Sequence, residues 1–210
     1  MNNVKRGSLV LVVGPSGVGK DSLLEGARTL MRGQSGFYFP RRLITRPGNA
    51  GGEDHVALSE AEFTTLEGSG AFALHWRAHG LCYGILAAIT DDLANGRHVV
   101  VNVSRSVIDE ARARFSPVQV ICVSVPPPLL AARLRARGRE SEADIVKRLQ
   151  QASAYQIADR PDTHVLSNEG PLKESVMVFY RLLKSIAGAA AGADLEPLRQ
   201  QLDEAPTAAE

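Results

Sequence analysis

Gly14-Pro15-Ser16-Gly17-Val18-Gly19-Lys20 carries three glycines and a lysine in the spacing GxxxxGK. Glycines at these positions admit backbone dihedrals that other residues resist, so successive N–H groups can converge on phosphate oxygens. A lysine at the end of such a loop reaches the β- and γ-phosphates of a bound nucleoside triphosphate. The chemistry implied is capture of a nucleoside triphosphate and neutralisation of its charge.

The next two residues are Asp21 and Ser22. A hydroxyl is the usual Mg²⁺ ligand directly after the lysine, so Asp21 departs from the pattern. A carboxylate beside a triphosphate is repulsive unless a cation stands between them. Two readings follow. Asp21 ligates Mg²⁺, directly or through water, or Asp21 favours the positive end of a helix while Ser22 serves the metal. The first is preferred; both residues are kept as Mg²⁺ candidates.

The flanking elements suit this role. Ser8–Val13 is a continuous apolar run ending at Gly14, the pattern of a strand buried on both faces. Leu23, Leu24, Ala27, Leu30 and Met31 recur at helical spacing within 21–31. The loop therefore joins a strand to a helix, whose dipole adds to the anion site. Further strands are expected at His98–Val103, Val118–Val125 and Thr163–Ser167. Helices are expected at Ser104–Phe115, Pro127–Ala136, Ser141–Ile157 and Pro171–Ala187. Strands alternating with helices predict an α/β fold, a parallel sheet with helices on both faces. Residues 37–84 break the rhythm and are expected to form an inserted acceptor-binding subdomain outside that sheet. The arginine-dense stretch 133–148 is expected to form a lid. One kinase domain is thus expected over 1–186, with an Ala/Gly-rich tail, 187–210, expected to be disordered.

Composition narrows the function. The chain has 210 residues, 44% hydrophobic and 22% charged, with a formal net charge of +1. Such a balance supplies no global field for nucleic acid or membrane. Aromatic residues are 5%, too sparse for a base-stacking surface. Cys82 and Cys122 lie far apart with no metal-ligand spacing, which fits a reducing, cytoplasmic setting. No apolar run reaches membrane-spanning length. A homodimer is compatible with the sequence, which does not fix the oligomeric state.

Several stretches in order resemble the guanylate kinase family. Ile44-Thr45-Arg46-Pro47 looks like its acceptor-phosphate loop, and Gly52-Glu53-Asp54-His55 its Gly-x-Asp-Tyr turn with His for Tyr. Ala78-His79-Gly80-Leu81-Cys82-Tyr83-Gly84 is similar to its His-Gly-x-x-Tyr-Gly stretch. Arg137-Gly138-Arg139-Glu140 through Arg148-Leu149 is similar to its arginine lid, and Asn168 falls near its late Asn beside the donor base. The resemblance implies a P-loop kinase with Lys20, Arg137 and Arg148 neutralising the transferred phosphoryl group and no general base. Among Arg133, Arg135, Arg137 and Arg139, which alone read as a solvated helix face, Arg137 is the functional candidate. His79 reads equally as a structural histidine, and Trp76 as core.

The guanine-reading positions do not match. Leu74-His75-Trp76 stands where the family has Leu-Glu-Trp, Ile85-Leu86 where it has a hydroxyl, and Asn102-Val103-Ser104 where it has Asp-x-Asp. A site that reads a base by hydrogen bonds loses heavily when those partners are replaced. Gly-Lys-Asp-Ser at 19–22, Ala-Gly-Gly-Glu-Asp-His at 50–55 and Ala-Arg-Gly-Arg-Glu at 136–140 resemble instead the ribose 1,5-bisphosphate phosphokinases of phosphonate catabolism. That resemblance implies a phosphorylated sugar as acceptor and 5-phosphoribosyl 1-diphosphate as product. The 1-phosphate is expected near Arg42, Arg46 and Tyr83, and the 5-phosphate near His75 and Arg105. The alternatives are a nucleoside monophosphate kinase of altered base preference and a non-catalytic scaffold, which has no need of an intact GxxxxGK.

Overall fold

The structure, a computed structural model, describes residues 6–48, 53–136, 138, 141–153 and 160–188. In chain order its elements are β1 (Leu9–Val13), α1 (Lys20–Leu30), β2 (Phe37–Tyr38), β3 (Leu43–Ile44), β4 (Val56–Ala57), α2 (Glu60–Gly68), β5 (Phe72–Ala78) and β6 (Leu81–Leu86). There follow α3 (Ile89–Ala94), β7 (His98–Asn102), a 3-10 turn (Arg105–Val107), α4 (Ile108–Arg114), β8 (Val118–Ser124), α5 (Pro127–Ala136), α6 (Glu142–Ser153), β9 (Thr163–Ser167) and α7 (Leu172–Ile186). The strands form two sheets, ordered β2-β7-β1-β8-β9 and β4-β3-β6-β5. The α/β fold and its parallel pairing match the expectation. None of the described helices is long and apolar enough to cross a membrane.

The described residues fall into two compact units. Those through Leu11 and from Gln34 to Val118 form the first; Val12 to Gly33 and those from Gln119 onward form the second.

In the first unit β2 pairs in parallel with β7, Phe37 opposite His98 and Tyr38 opposite Val99. This corrects the boundary drawn from sequence: Phe37–Tyr38 belongs to the parallel sheet, and the insertion starts after it. The strand has two residues, too few for a periodic signal, and its partner lies about sixty positions away. Ser104–Phe115, expected as one helix, is a 3-10 turn followed by α4.

The four-stranded sheet is built on the β5–β6 hairpin, in which Ala78 pairs with Leu81 across a two-residue turn. His79 and Gly80 both take positive φ, 52° and 73°. That is the turn geometry whose twist matches an antiparallel pair, and His is among the residues that tolerate it. His79 is therefore a turn residue. Trp76 pairs with Tyr83 and His75 with Gly84, so neighbours along β5 point to opposite faces. Helix α2 covers one face. It starts with a capping box, Ser59 accepting from Glu62 N–H while the Glu62 carboxylate receives Ser59 N–H. Those bonds hold the Glu62 carboxyl below its ordinary value. Phe63 of α2 stacks on Phe72 at 4.8 Å, with Leu43 and Cys82 beside them.

Gly84 lies directly under this cluster. A Cβ there would sit 2.3 Å from a Phe72 ring carbon. Gly84→Ala must displace a ring that is itself packed on Phe63, and overpacking of this kind costs about 1–3 kcal/mol. Thermal unfolding should show a Tm lowered by several degrees; an unchanged Tm would show that the ring can move aside freely.

In the second unit β8 and β9 run parallel, from Val120 opposite Thr163 to Ser124 opposite Ser167. Helices α1 and α7 pack together, with the Val176 side chain so close to Gly26 that a Cβ there would lie 2.6 Å away. Leu23, Ala27, Phe179 and Leu183 are buried at 0% exposure, so both amphipathic faces seen in the sequence are used.

Candidate functional site

The loop from Gly14 to Lys20 lies in the second unit. Gly14, Gly17 and Gly19 have φ of 150°, 92° and 90°. Gly19 is the N-cap of α1, with no side-chain cap hydrogen bond, and a helix start of this kind favours an anion through its N–H groups and dipole. Lys20 donates from Nζ to the carbonyls of Gly14 (2.7 Å) and Pro15 (3.0 Å), folding its ammonium over the loop. Asp21 and Ser22 begin the helix and are exposed. Among the described residues no group of three or more His, Cys, Asp or Glu could cage a metal. A Mg²⁺ ion needs no such cage: it takes one or two protein oxygens and completes its shell with phosphate and water, which Asp21 and Ser22 fit.

The loop is held from below. The Asn168 amide nitrogen donates to the Val18 carbonyl at 2.7 Å, and the side chain is buried, 2% exposed. Arg133 donates to the Asn168 carbonyl (2.8 Å) and to the Val18 carbonyl (3.5 Å). Leu130 and Leu134 of α5 pack under Gly17, where a Cβ would meet Leu134 at 2.8 Å. Asn168, expected beside the donor base, thus supports the backbone of the phosphate loop. Arg148 of α6 donates to the Ser16 hydroxyl at 2.6 Å, which brings one arginine of the 133–148 stretch onto the loop. Arg135 is spent on Glu142, at 2.7 and 3.0 Å, and lowers that carboxyl. Arg137 and Arg139 lie outside the described residues, as does the tail from 189. Cys122 on β8 is partly buried; burial pushes its thiol up while the Lys20 charge opposes the shift.

Arg42, Arg46, Tyr83 and Arg105 belong to the first unit. Arg42 precedes β3 and lays its guanidinium over the rings of Tyr83 (5.2 Å) and Trp76 (5.9 Å), which stack on each other at 5.3 Å and 3°. Glu53 holds it: Arg42 Nε donates to one carboxylate oxygen at 2.7 Å and Nη2 to the other. Arg42 Nη1 also donates to the Asn102 carbonyl at 3.4 Å. Arg46 follows β3, and the His55 ring nitrogens face the carbonyls of Glu53 (3.0 Å) and Arg46 (3.1 Å). Arg105 stands exposed on the 3-10 turn, which packs against β5. Ser104 caps that turn, accepting from Ser106 N–H at 3.3 Å.

His75 does not join this group. Strand alternation puts it on the α2 side of β5, where Nδ1 faces Glu67 at 3.2 Å and the ring tilts against Phe72. Arg77 pairs with the same carboxylate at 2.8 Å. Glu67 is held below its usual range by the Arg77 hydrogen bonds first, with a smaller contribution from His75. The sequence expectation groups His75 with Arg105; here His75 pairs with Glu67, and Trp76 is the β5 residue that faces Arg42. The sequence assigns no role to Glu53, though it stands inside a recognised motif, and leaves Arg133 between a solvated face and a functional one, because the partners of both are set by tertiary structure.

The guanylate kinase family model matches residues 6–173. The chain belongs to the guanylate kinase family. Within the family's reach, a protein named ribose 1,5-bisphosphate phosphokinase from Agrobacterium fabrum is 42% identical over 180 residues, 86% of this chain and 98% of that one. One of the same name from Laribacter hongkongensis is 50% identical over 168 residues, 79% of this chain and 40% of that longer protein. Among solved structures, a guanylate kinase from Anaplasma phagocytophilum covers 95% of this chain and of its own, with a TM-score of 0.59 at 19% identity, a likeness of fold. The family's phosphate loop is thus intact here, while Asn102 and Ser104 lend a carbonyl to Arg42 and a cap to a turn.

Proposed function

We propose that the protein transfers the γ-phosphoryl group of ATP to the 1-phosphate of ribose 1,5-bisphosphate, giving 5-phosphoribosyl 1-diphosphate and ADP. The observation that carries this reading is the Arg42 guanidinium over Trp76 and Tyr83. It sets a cation in the segment whose side chains at 102 and 104 are Asn and Ser, where a guanine-reading site carries acids. A doubly phosphorylated sugar asks for cations; a guanine asks for acceptors. The names of the 42–50% identical relatives support the same substrate.

Phosphoryl transfer between phosphates needs positioning and charge neutralisation rather than proton chemistry. Lys20, Arg148 and Arg137 are assigned to the transferred group, and the loop N–H groups to the β-phosphate. Asp21 or Ser22 would hold Mg²⁺, which would supply neutralisation of phosphate charge. Arg42, Arg46, Tyr83 and Arg105 are assigned to the acceptor. His75, on the far face of β5, should tolerate Ala with little change in the acceptor KM. The reaction is set in the cytoplasm, with no nucleic acid or membrane partner.

Steady-state kinetics with ribose 1,5-bisphosphate, GMP and AMP test the acceptor. The sugar bisphosphate should be preferred by about 10⁴-fold in kcat/KM, the discrimination of a site whose polar partners are mismatched to the wrong substrate. GMP turnover equal to or above that of the sugar would return the protein to the nucleotide kinases.

A further inference from the structure

We propose that Glu53 is a positioning residue of the acceptor site, fixing Arg42 so that its unused N–H groups receive an acceptor phosphate. The inference rests on the assignment of Arg42 to the acceptor. A guanidinium has five N–H donors in a rigid plane. Three are engaged: Nε–H and one Nη2–H on Glu53, and one Nη1–H on the Asn102 carbonyl. Among the described residues two remain, one on Nη1 and one on Nη2. Donors on those two nitrogens match a pair of phosphate oxygens.

The surroundings explain why a carboxylate belongs in an anion site. The Arg42 and Glu53 side chains are only 11% and 16% exposed, and Arg42 has aromatic rings against it. A buried guanidinium without a counter-charge is costly, and the arginine stem is flexible. The two-point grip of Glu53 solves both problems. It neutralises one edge and fixes the plane, so less ordering remains to be done when the phosphate arrives. Glu53 itself touches no substrate in this arrangement. Its neighbour His55 ties the Glu53 carbonyl to the Arg46 loop, so both acceptor arginines share one support.

The test measures KM for ribose 1,5-bisphosphate, KM for ATP and kcat in Glu53→Gln, Glu53→Asp and Arg42→Ala, with calorimetric ATP binding as the check that each variant is folded. Glu53→Gln keeps the shape but loses the charge; the acceptor KM should rise about ten-fold, the loss of one charge-assisted interaction, while KM for ATP and kcat stay as in the wild type. Glu53→Asp should rise less, and it carries the test if the Gln variant does not fold. An acceptor KM that is unchanged in the Glu53 variants but raised in Arg42→Ala overturns the role of Glu53 alone. A fall in acceptor KM would identify Glu53 as a competitor that phosphate must displace, which also overturns it. An equal rise in both KM values reduces Glu53 to general structure. If Arg42→Ala leaves the acceptor KM unchanged, Arg42 is not an acceptor ligand; if the wild type does not turn over the sugar at all, the functional reading itself fails.

Discussion

Lys20→Ala should lower kcat by about 10²–10³-fold, the range for removing one preorganised donor from a developing charge. The ammonium is already folded over the loop by the Gly14 and Pro15 carbonyls, at 2.7 and 3.0 Å, so it has little reorganisation left when a triphosphate arrives. Its charge is needed most as negative charge shifts during transfer. The loss should therefore fall on kcat more than on the KM for ATP, because the loop N–H groups and helix terminus still hold the nucleotide. Lys20→Met tests shape against charge and should behave like the Ala variant. Steady-state and single-turnover kinetics read the difference. A variant that loses only ATP affinity, with kcat intact, would make Lys20 a binding residue and nothing more.

Gly19→Ala is the second large effect. At φ 90° an L side chain is strained, at about 1–2 kcal/mol. Its Cβ would also lie 2.5 Å from the Asn168 amide nitrogen. That amide is the group that holds Val18, so relief of the clash must release the loop or reshape it. Displacements near 1 Å in a phosphoryl-transfer site cost about 10²-fold, and kcat/KM for ATP should fall by that order. Asn168→Ala should reproduce part of the loss without any backbone strain, since it removes the same hydrogen bond from the other side. If Gly19→Ala retains wild-type kinetics, the Asn168–Val18 support has no bearing on the loop's work.

These expectations draw on parts of the molecule that differ in how visible they are in sequence. The GxxxxGK loop was legible because its chemistry is local: glycines, a preceding apolar strand and a following periodic helix all lie within 8–31. All five residues of β1 are fully buried, as the unbroken apolar run implied. The support of the loop was not legible. Asn168 reaches Val18 across 150 positions, and Arg133 across 115, and no spacing rule connects them.

The acceptor side shows a second limit. His75 and Trp76 are adjacent, so which of them faces Arg42 depends on the strand's phase. The pairing slips between Phe72 and Leu74, and a one-residue slip exchanges the two faces. Motif order placed the segment in the site but could not fix that phase. Glu53 lay in a motif whose resemblance concerned its neighbours, and its partner Arg42 stands eleven positions away in another loop.

Phosphorus-31 NMR of a reaction with ATP and ribose 1,5-bisphosphate tests the central claim most directly. The anomeric monophosphate signal should disappear as a coupled diphosphate pair grows in, with the 5-phosphate signal retained and ADP formed in equal amount. Conversion of GMP to GDP in the same tube, with both sugar phosphate signals unchanged, would contradict it.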